Sequence, residues 1–377
     1  MPIEADFWAQ RRVLLTGHTG FKGAWLSLWL QSLGAQVSGL APSAPTEPSL
    51  YELAGVGAGM TEYAVDIRDA RAVQDAMRRA RPEIVLHLAA QPMVRRSLVD
   101  PVLTYEVNVM GTVNLLDAVR TAGEQVRAVV VVTSDKCYEN LGGAAGSARE
   151  GTPGDARGGV SGSSPGGARA FVEDDPMGGS DPYSSSKGCA ELVTAAYRRS
   201  FFCGEGSARV ATARAGNVIG GGDWGEDRLI ADIVRAATGS SGEPIRLRNP
   251  AAVRPWQHVL NPLSGYLLLA EELTRGTDAA RGWNFGPPAS DARPVSWIVE
   301  RMREQWNDAF SWELDPGENP PEARYLTLDS GQAEHELGWH AGWDLAEALR
   351  RIVLWHEAHA RGENMRSCSL GQIAEFG

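Results

Sequence analysis

The sequence predicts an α/β protein built on a Rossmann-type, doubly wound parallel sheet with a smaller C-terminal lobe. Three observations carry this. Short apolar runs alternate with helical periodicities of roughly ten to fifteen residues, as βαβ units require. The runs are nearly continuous rather than alternating, as expected of strands covered by helices on both faces. The first run opens into a glycine loop that leads straight into the first helix.

The elements follow in order. Val13, Leu14 and Leu15 form the first strand, which ends at Thr16 and Gly17. Trp25, Leu26, Trp29, Leu30 and Leu33 recur at helical spacing over 24–33, and Gly34 caps that helix. A strand over 36–40, a helix over 70–80, a strand over 84–88 and a long helix over 107–122 come next. The strand over 128–132 is β-branched almost throughout. Residues 141–170 break the pattern, with ten glycines and no aromatic residue. Such a stretch has too little apolar surface to offset its ordering entropy, so a flexible surface insertion is expected, or else a lid that orders over a ligand. Periodicity resumes with a helix over 182–201 and a strand over 210–215; helices over 296–305 and 345–359 close the chain. Most of the 12 tryptophans lie from Trp256 onward and are expected to pack the small lobe.

Charge and composition exclude several classes. Lys and Arg number 36 against 47 Asp and Glu, a net charge of −11, which argues against a general nucleic-acid or polybasic membrane binder. No apolar run is long enough for a transmembrane helix and no signal-peptide core precedes the first strand, so a cytoplasmic setting is expected. Cys137, Cys189, Cys203 and Cys368 form no CxxC motif, and no disulfide scaffold is expected. His356 and His359 lack a third ligand; they read as solvated helix histidines, with no metal site.

Two motifs carry chemistry. Gly17, Gly20 and Gly23, with Thr19, Phe21 and Lys22 between them, form a GxxGxxG loop between strand and helix. Its backbone N–H groups and helix N-terminus suit a dinucleotide pyrophosphate. No carboxylate ends the second strand; Asp66 and Ile67, after the third, are the candidates for the adenine side. NAD is favoured, with NADP left open. The second motif is Tyr183 and Lys187, four apart on one helix face. An ammonium near the phenol is expected to lower its pKa toward neutral, fitting it to exchange a proton with a substrate hydroxyl. Ser134 stands at the carboxyl end of a parallel strand, where such sheets bind ligands.

Together these motifs resemble the extended short-chain dehydrogenase/reductase family, and within it the 4,6-dehydratases that act on CDP-glucose. The strings behind this are TGHTGFKG from Thr16, AAQPMVR from Ala89, TSDKCYEN from Thr133 and DPMGGSDPYSSSKGCAEL from Asp175. They continue with RAGNVIGGGDW from Arg214, DRLI from Asp227 and RPWQHVL from Arg254. The resemblance implies that Tyr183, assisted by Lys187 and Ser134, takes the sugar C4 hydroxyl proton while hydride passes to NAD. It implies that Asp135 protonates the departing 6-hydroxyl and Lys136, as a neutral amine, removes the C5 proton. A 4-epimerase would need neither, and remains the alternative, with a dehydratase of another nucleotide sugar. Leu88, Ala89, Ala90 and Asn108 are implied on the cofactor side. Asn217, Gln91 and Arg95 are candidates near the nucleotide sugar. Arg254, with Arg228 and Arg248 behind it, offers guanidinium donors to its pyrophosphate. Trp224 and Trp256 either border the nucleotide or pack. A homodimer is expected, through the helix from about Val102 and the Tyr183 helix, which carries Ala190, Leu192, Val193 and Ala196. The expected units are 1–217 with 253–283 for the dinucleotide, and 218–252 with 284–377 for the nucleotide sugar. Three departures stand out: only Phe171-Val-Glu173 survives of an aromatic, charged stretch after Tyr138, Ser43 replaces a frequent Asp, and Asn261 replaces a usual Glu.

Overall fold

The structure, a computed structural model, describes residues 3–140, 169–239, 243–317 and 325–377. The expected insertion or lid over 141–170 lies almost wholly outside the described residues. The strands are β1 (Arg12–Thr16), β2 (Gln36–Ala41), β3 (Thr61–Ala64), β4 (Ile84–His87), β5 (Ala128–Val132) and β6 (Arg209–Arg214). They continue as β7 (Asn217–Ile219), β8 (Ile245–Leu247), β9 (Val253–His258), β10 (Gly282–Asn284), β11 (Ala292–Pro294) and β12 (Trp312–Leu314). Seven of them form one parallel sheet in the order β10-β6-β5-β4-β1-β2-β3. The order reverses between β1 and β4, which opens a crevice at the carboxyl ends of those strands. A small sheet, β11-β9-β7, stands beside it, with β12 and β8 paired separately.

Alternation along the strands feeds two cores. Val13 and Leu15 of β1 face one that also holds Trp25, Leu26 and Trp29 of the Phe21–Ser32 helix and Leu267 of the Leu260–Arg275 helix. Leu14 faces the other, with Val73, Leu115 and Val129. A third core, around Ile230, Trp256, Ile298 and Leu349, lies under the small sheet.

Local chemistry sets the helix ends. Asp69 caps Ala70–Ala80 by accepting from the N–H groups of Arg71 (3.1 Å) and Ala72 (3.0 Å). Asp181 caps Pro182–Phe201 through Ser184 N (2.9 Å), with Pro182 in the first turn, where its missing N–H costs nothing. The first long helix begins at Phe21, three residues before its apolar stripe, because Gly20 already caps it. The helix expected over 107–122 opens with a π-turn, Glu106–Met110, before Gly111–Ala122.

Three expectations change. His356 is buried, not solvated: it packs edge-on to Trp224 and Trp355, and burial pushes its pKa down to about 3. The last helix, Met365–Phe376, has no clear apolar stripe and was not foreseen. It reaches back to the Phe21–Ser32 helix, with Phe376 edge-on to Trp29 at 5.6 Å. Asn261 now has a physical reason. Fully buried, it donates to the carbonyl of Trp343 (2.9 Å) and accepts from that residue's N–H (3.1 Å). An amide serves both bonds, whereas an ionised carboxylate would face the carbonyl with no proton to give.

Candidate active site

The glycine loop closes on itself. Gly17 adopts a positive φ of 75°, and its N–H donates to Leu40 O at the end of β2 (2.9 Å). A Cβ on Gly23 would lie 2.1 Å from the carbonyl oxygen of Gly17, and one on Gly17 would lie 2.8 Å from the Ala89 nitrogen. Loop, helix and the turn after β4 therefore meet backbone to backbone, bringing Leu88, Ala89 and Ala90 beside the loop. No side chain caps the helix at Gly20, which leaves its first N–H groups for an anion. This cradle fits a dinucleotide pyrophosphate. Gly23→Ala is expected to abolish NAD binding, because backbone sits where the methyl must go; calorimetric titration of the purified variant with NAD would detect any surviving affinity.

At the end of β5, Ser134 and Asp135 are both buried. Ser134 is in hydrogen-bond contact with the hydroxyl of Tyr183 and donates to Oδ1 of Asp135 (2.9 Å), while its Oγ accepts from Lys136 N (3.2 Å). Burial raises the pKa of Asp135, although Lys136, Ser134, Arg254 and Lys22 pull it the other way. A surface ion pair is thus excluded for Asp135, and its carboxyl is biased to the protonated, donor form. Lys136 is half-buried beside it.

Tyr183 departs from expectation. Burial pushes its pKa up to about 12, against opposing effects from Ser134 and Arg228. Lys187, one turn on, donates to Val132 O (3.3 Å), and burial holds its pKa down to about 8. Desolvation outweighs the help that Ser134 and Arg228 give the phenolate, so the lowering expected from Tyr-x-x-x-Lys spacing is absent.

A buried ion pair fixes this helix. Glu191 accepts from Arg214 at both oxygens (3.0 and 2.8 Å), from Thr133 (2.5 Å) and from Thr212 (2.7 Å). Arg214 also donates to Tyr138 Oη (2.7 Å) and to Glu173 O (2.9 Å). Phe171 stacks on Tyr138 at 4.9 Å, so the surviving Phe171-Val-Glu173 piece is anchored to the strand-end turn. Sequence reasoning missed Glu191 as the hub; its signal was one carboxylate a turn beyond Lys187 on a buried face.

Other predicted residues divide. Arg254 is buried near Asp135, and Arg228 is close enough to influence Lys22 and Tyr183. Lys22 turns its ammonium inward, 6.0 Å from the Tyr266 ring centre; burial, Arg228 and Lys187 hold its pKa down to about 7. Thr19 is buried in the loop, and Phe21 reaches toward Gly220 beyond β7. Asn217 opens β7 opposite Trp256, and Arg248 lies half-buried after β8. Arg95 pairs with Asp227 (3.1 Å). Gln91 uses its amide on Met93 and Thr104, and Asn108 clamps Gln91 and Ser186. These two hold the turn after β4 to the Tyr183 helix rather than offering free donors. Asp66 commits its carboxylate to Arg68 (2.7 Å), and Ile67 packs against Gly111. Trp256 is buried, donating to Arg293 O (2.9 Å), and Trp224 packs on Trp355; both are packing residues.

The sequence matches the NAD dependent epimerase/dehydratase family over residues 13–284. The chain belongs to this family. It is 48% identical to the CDP-glucose 4,6-dehydratase of Salmonella typhimurium, over 99% of this chain and 98% of that one. Among solved members of the epimerase/dehydratase fold, it resembles the Thermus thermophilus UDP-glucose 4-epimerase complex with NAD (TM-score 0.71, 26% identity, 92% of this chain and 99% of that chain). The dTDP-glucose 4,6-dehydratase of Streptomyces venezuelae with NAD and TYD bound gives a TM-score of 0.71 at 22% identity, covering 94% of this chain and 99% of that chain. The resemblance read from the motifs is thereby borne out, as are the fold class and the family's NAD dependence.

Proposed function

We propose that this chain converts CDP-D-glucose to CDP-4-keto-6-deoxy-D-glucose and water, using NAD. The observation that carries this is the buried Ser134–Asp135 pair beside Tyr183, followed by Lys136, in a chain 48% identical to a CDP-glucose 4,6-dehydratase along its whole length. Bound NAD supplies the oxidising power at C4 and the reducing power at C6. Tyr183, with Ser134 and Lys187, accepts the C4 hydroxyl proton. The resulting ketone acidifies C5–H, Lys136 removes that proton, and Asp135 hands its own to the departing 6-hydroxyl. Arg254, Arg228 and Arg248 offer cationic donors to the substrate pyrophosphate, and Asn217 and Arg95 line the approach to the sugar, while Gln91 holds the turn after β4 in place behind them. A 4-epimerase would have no use for a buried acid at that place.

Incubation with CDP-glucose and NAD should yield a product one water lighter, with the base-induced absorbance of a 4-keto sugar; absence of product from any nucleotide-glucose would sink the reading. Lys136→Met should stop water loss while C4 oxidation continues, so reduced cofactor accumulates; full turnover would remove Lys136 from the base role.

For the units given above, the core around Ile230, Ile298 and Leu349 supports a distinct second unit, while Phe285, Leu337, Trp339, Trp355 and the Met365–Phe376 helix of that unit pack into the core of the first. A homodimer is supported by exposed Leu98, Val99, Val102, Tyr105, Met110 and Leu192 on the helices Val94–Val99, Pro101–Tyr105 and Pro182–Phe201 and the π-turn between. Ala196 is exposed one turn from Leu192, while Ala190 is buried. Light scattering distinguishes dimer from monomer. No described helix is long and apolar enough to cross a membrane.

A further inference from the structure

Oδ2 of Asp135, next to Ser134, and the hydroxyl of Tyr266 are buried and make no hydrogen bond among the described residues. Tyr266 is fully buried on the Leu260–Arg275 helix, among Leu263, Leu267 and Leu269. Its ring stands edge-on to Phe285 at 5.9 Å, and the Lys22 ammonium approaches it at 6.0 Å. On packing grounds phenylalanine would serve better, because a buried, unpaired hydroxyl carries its full desolvation penalty. The Tyr266 helix packs across β5 and β6, and the core it shares with Val132 and Ala215 places it under the carboxyl ends of those strands, where the Ser134–Asp135 turn begins; Tyr183 and Asp135 add to the effect of burial in raising the phenol's pKa. Gly216 lies against the Asp135 carboxylate: a Cβ there would collide with Pro255 Cγ at 2.4 Å and come within 3.2 Å of Asp135 Oδ2.

We propose that Tyr266 is a positioning residue for Asp135, its O–H donating through one bridging water to the carboxylate that forms when Asp135 gives up its proton. The proposal rests on the dehydratase reading. In the elimination, Lys136 takes the C5 proton and the C5–H electron pair becomes the C5–C6 double bond. The C6–O bond breaks, and the hydroxyl leaves as water with the proton from Asp135. Tyr266 keeps its own proton throughout; only its hydrogen bond changes. A donor aimed at charge that appears only in the transition state accelerates the step without tightening substrate binding. The charged or titratable groups facing Asp135 are Lys22 from the phosphate-loop helix, Lys136 and Cys137 from its own turn, Arg254 from β9 and Tyr183 from its helix.

The test is Tyr266→Phe in the NAD-loaded enzyme, with CDP-glucose and with CDP-6-deoxy-6-fluoroglucose, whose fluoride leaves with little need of an acid. Turnover of CDP-glucose should fall about tenfold or more, with KM little changed, while the fluoro substrate loses less than about twofold. Losing the donor destabilises the Asp135 carboxylate and raises its pKa, so the alkaline limb of kcat should move to higher pH. The thermal midpoint should change little, since the variant keeps the ring that fills the space. Equal losses with both substrates, an unmoved alkaline limb, or undiminished turnover of CDP-glucose would each overturn the proposal. Wild-type protein inactive on CDP-glucose would instead overturn the dehydratase reading itself.

Discussion

Tyr183→Phe is expected to lower turnover of CDP-glucose by about a hundredfold to ten-thousandfold, the range typical of removing a positioned general base. The substitution deletes one oxygen and keeps the ring that fills the space beside Ser134 and the β5 end. NAD and substrate affinities should therefore change little. Loss of the C4 hydroxyl proton and loss of hydride from the same carbon depend on each other, so cofactor reduction in a single turnover should slow in step with overall turnover. That separates this variant from Lys136→Met, in which oxidation survives. Burial raises the pKa of Tyr183, against opposing effects from Ser134 and Arg228. Stopped-flow absorbance of the reduced nicotinamide measures the first step directly. A variant that retains more than about a tenth of wild-type cofactor reduction would show that another group takes the proton.

Glu191→Ala is expected to cost about 3–5 kcal/mol of stability, because it strands a buried guanidinium. Arg214 and Glu191 are each only 5% exposed, and the carboxylate also satisfies Thr133 and Thr212. Removing it leaves one charge and two hydroxyls without their acceptor, at the point where β5, β6 and the Tyr183 helix meet. The measurement is the thermal or denaturant midpoint against wild type. Adding Arg214→Met to the same chain should recover a good part of the loss, since the stranded charge is then gone. A single-variant loss below about 1 kcal/mol, or no recovery in the double variant, would mean that water or another carboxylate reaches Arg214.

How much of this was legible beforehand depended on range. The helices Ala70–Ala80 and Pro182–Phe201 begin and end where caps and periodicity put them, because Asp69 and Asp181 act on N–H groups two or three residues away. The strand runs were equally plain, since burial on both faces leaves little choice but β-branched residues. Met365–Phe376 was not legible: its apolar residues form no stripe of their own, and it is held by distant partners such as Trp29. His356 misled for a similar reason, because a helix face reads as solvent-exposed until the aromatic neighbours that cover it are in place.

The site shows the same division. Gly17, Gly23, Ser134, Tyr183 and Lys187 could be read in the chain because each stands in a short motif whose spacing carries its chemistry, and the family followed from those strings. Motif spacing says nothing, however, about solvent. Whether Tyr183 is easy to ionise, whether Asp135 keeps a proton, and whether Gln91 and Asn108 have donors to spare were decided only when residues far apart in sequence closed over them. Tyr266 is the clearest case, a hydroxyl in an apolar helix whose meaning depends on a carboxylate 131 positions earlier (266 − 135). Backbone propensity, capping and turn chemistry act over a few residues and survive in the unfolded chain; desolvation and electrostatic coupling exist only in the folded interior, so they had to come from the tertiary structure.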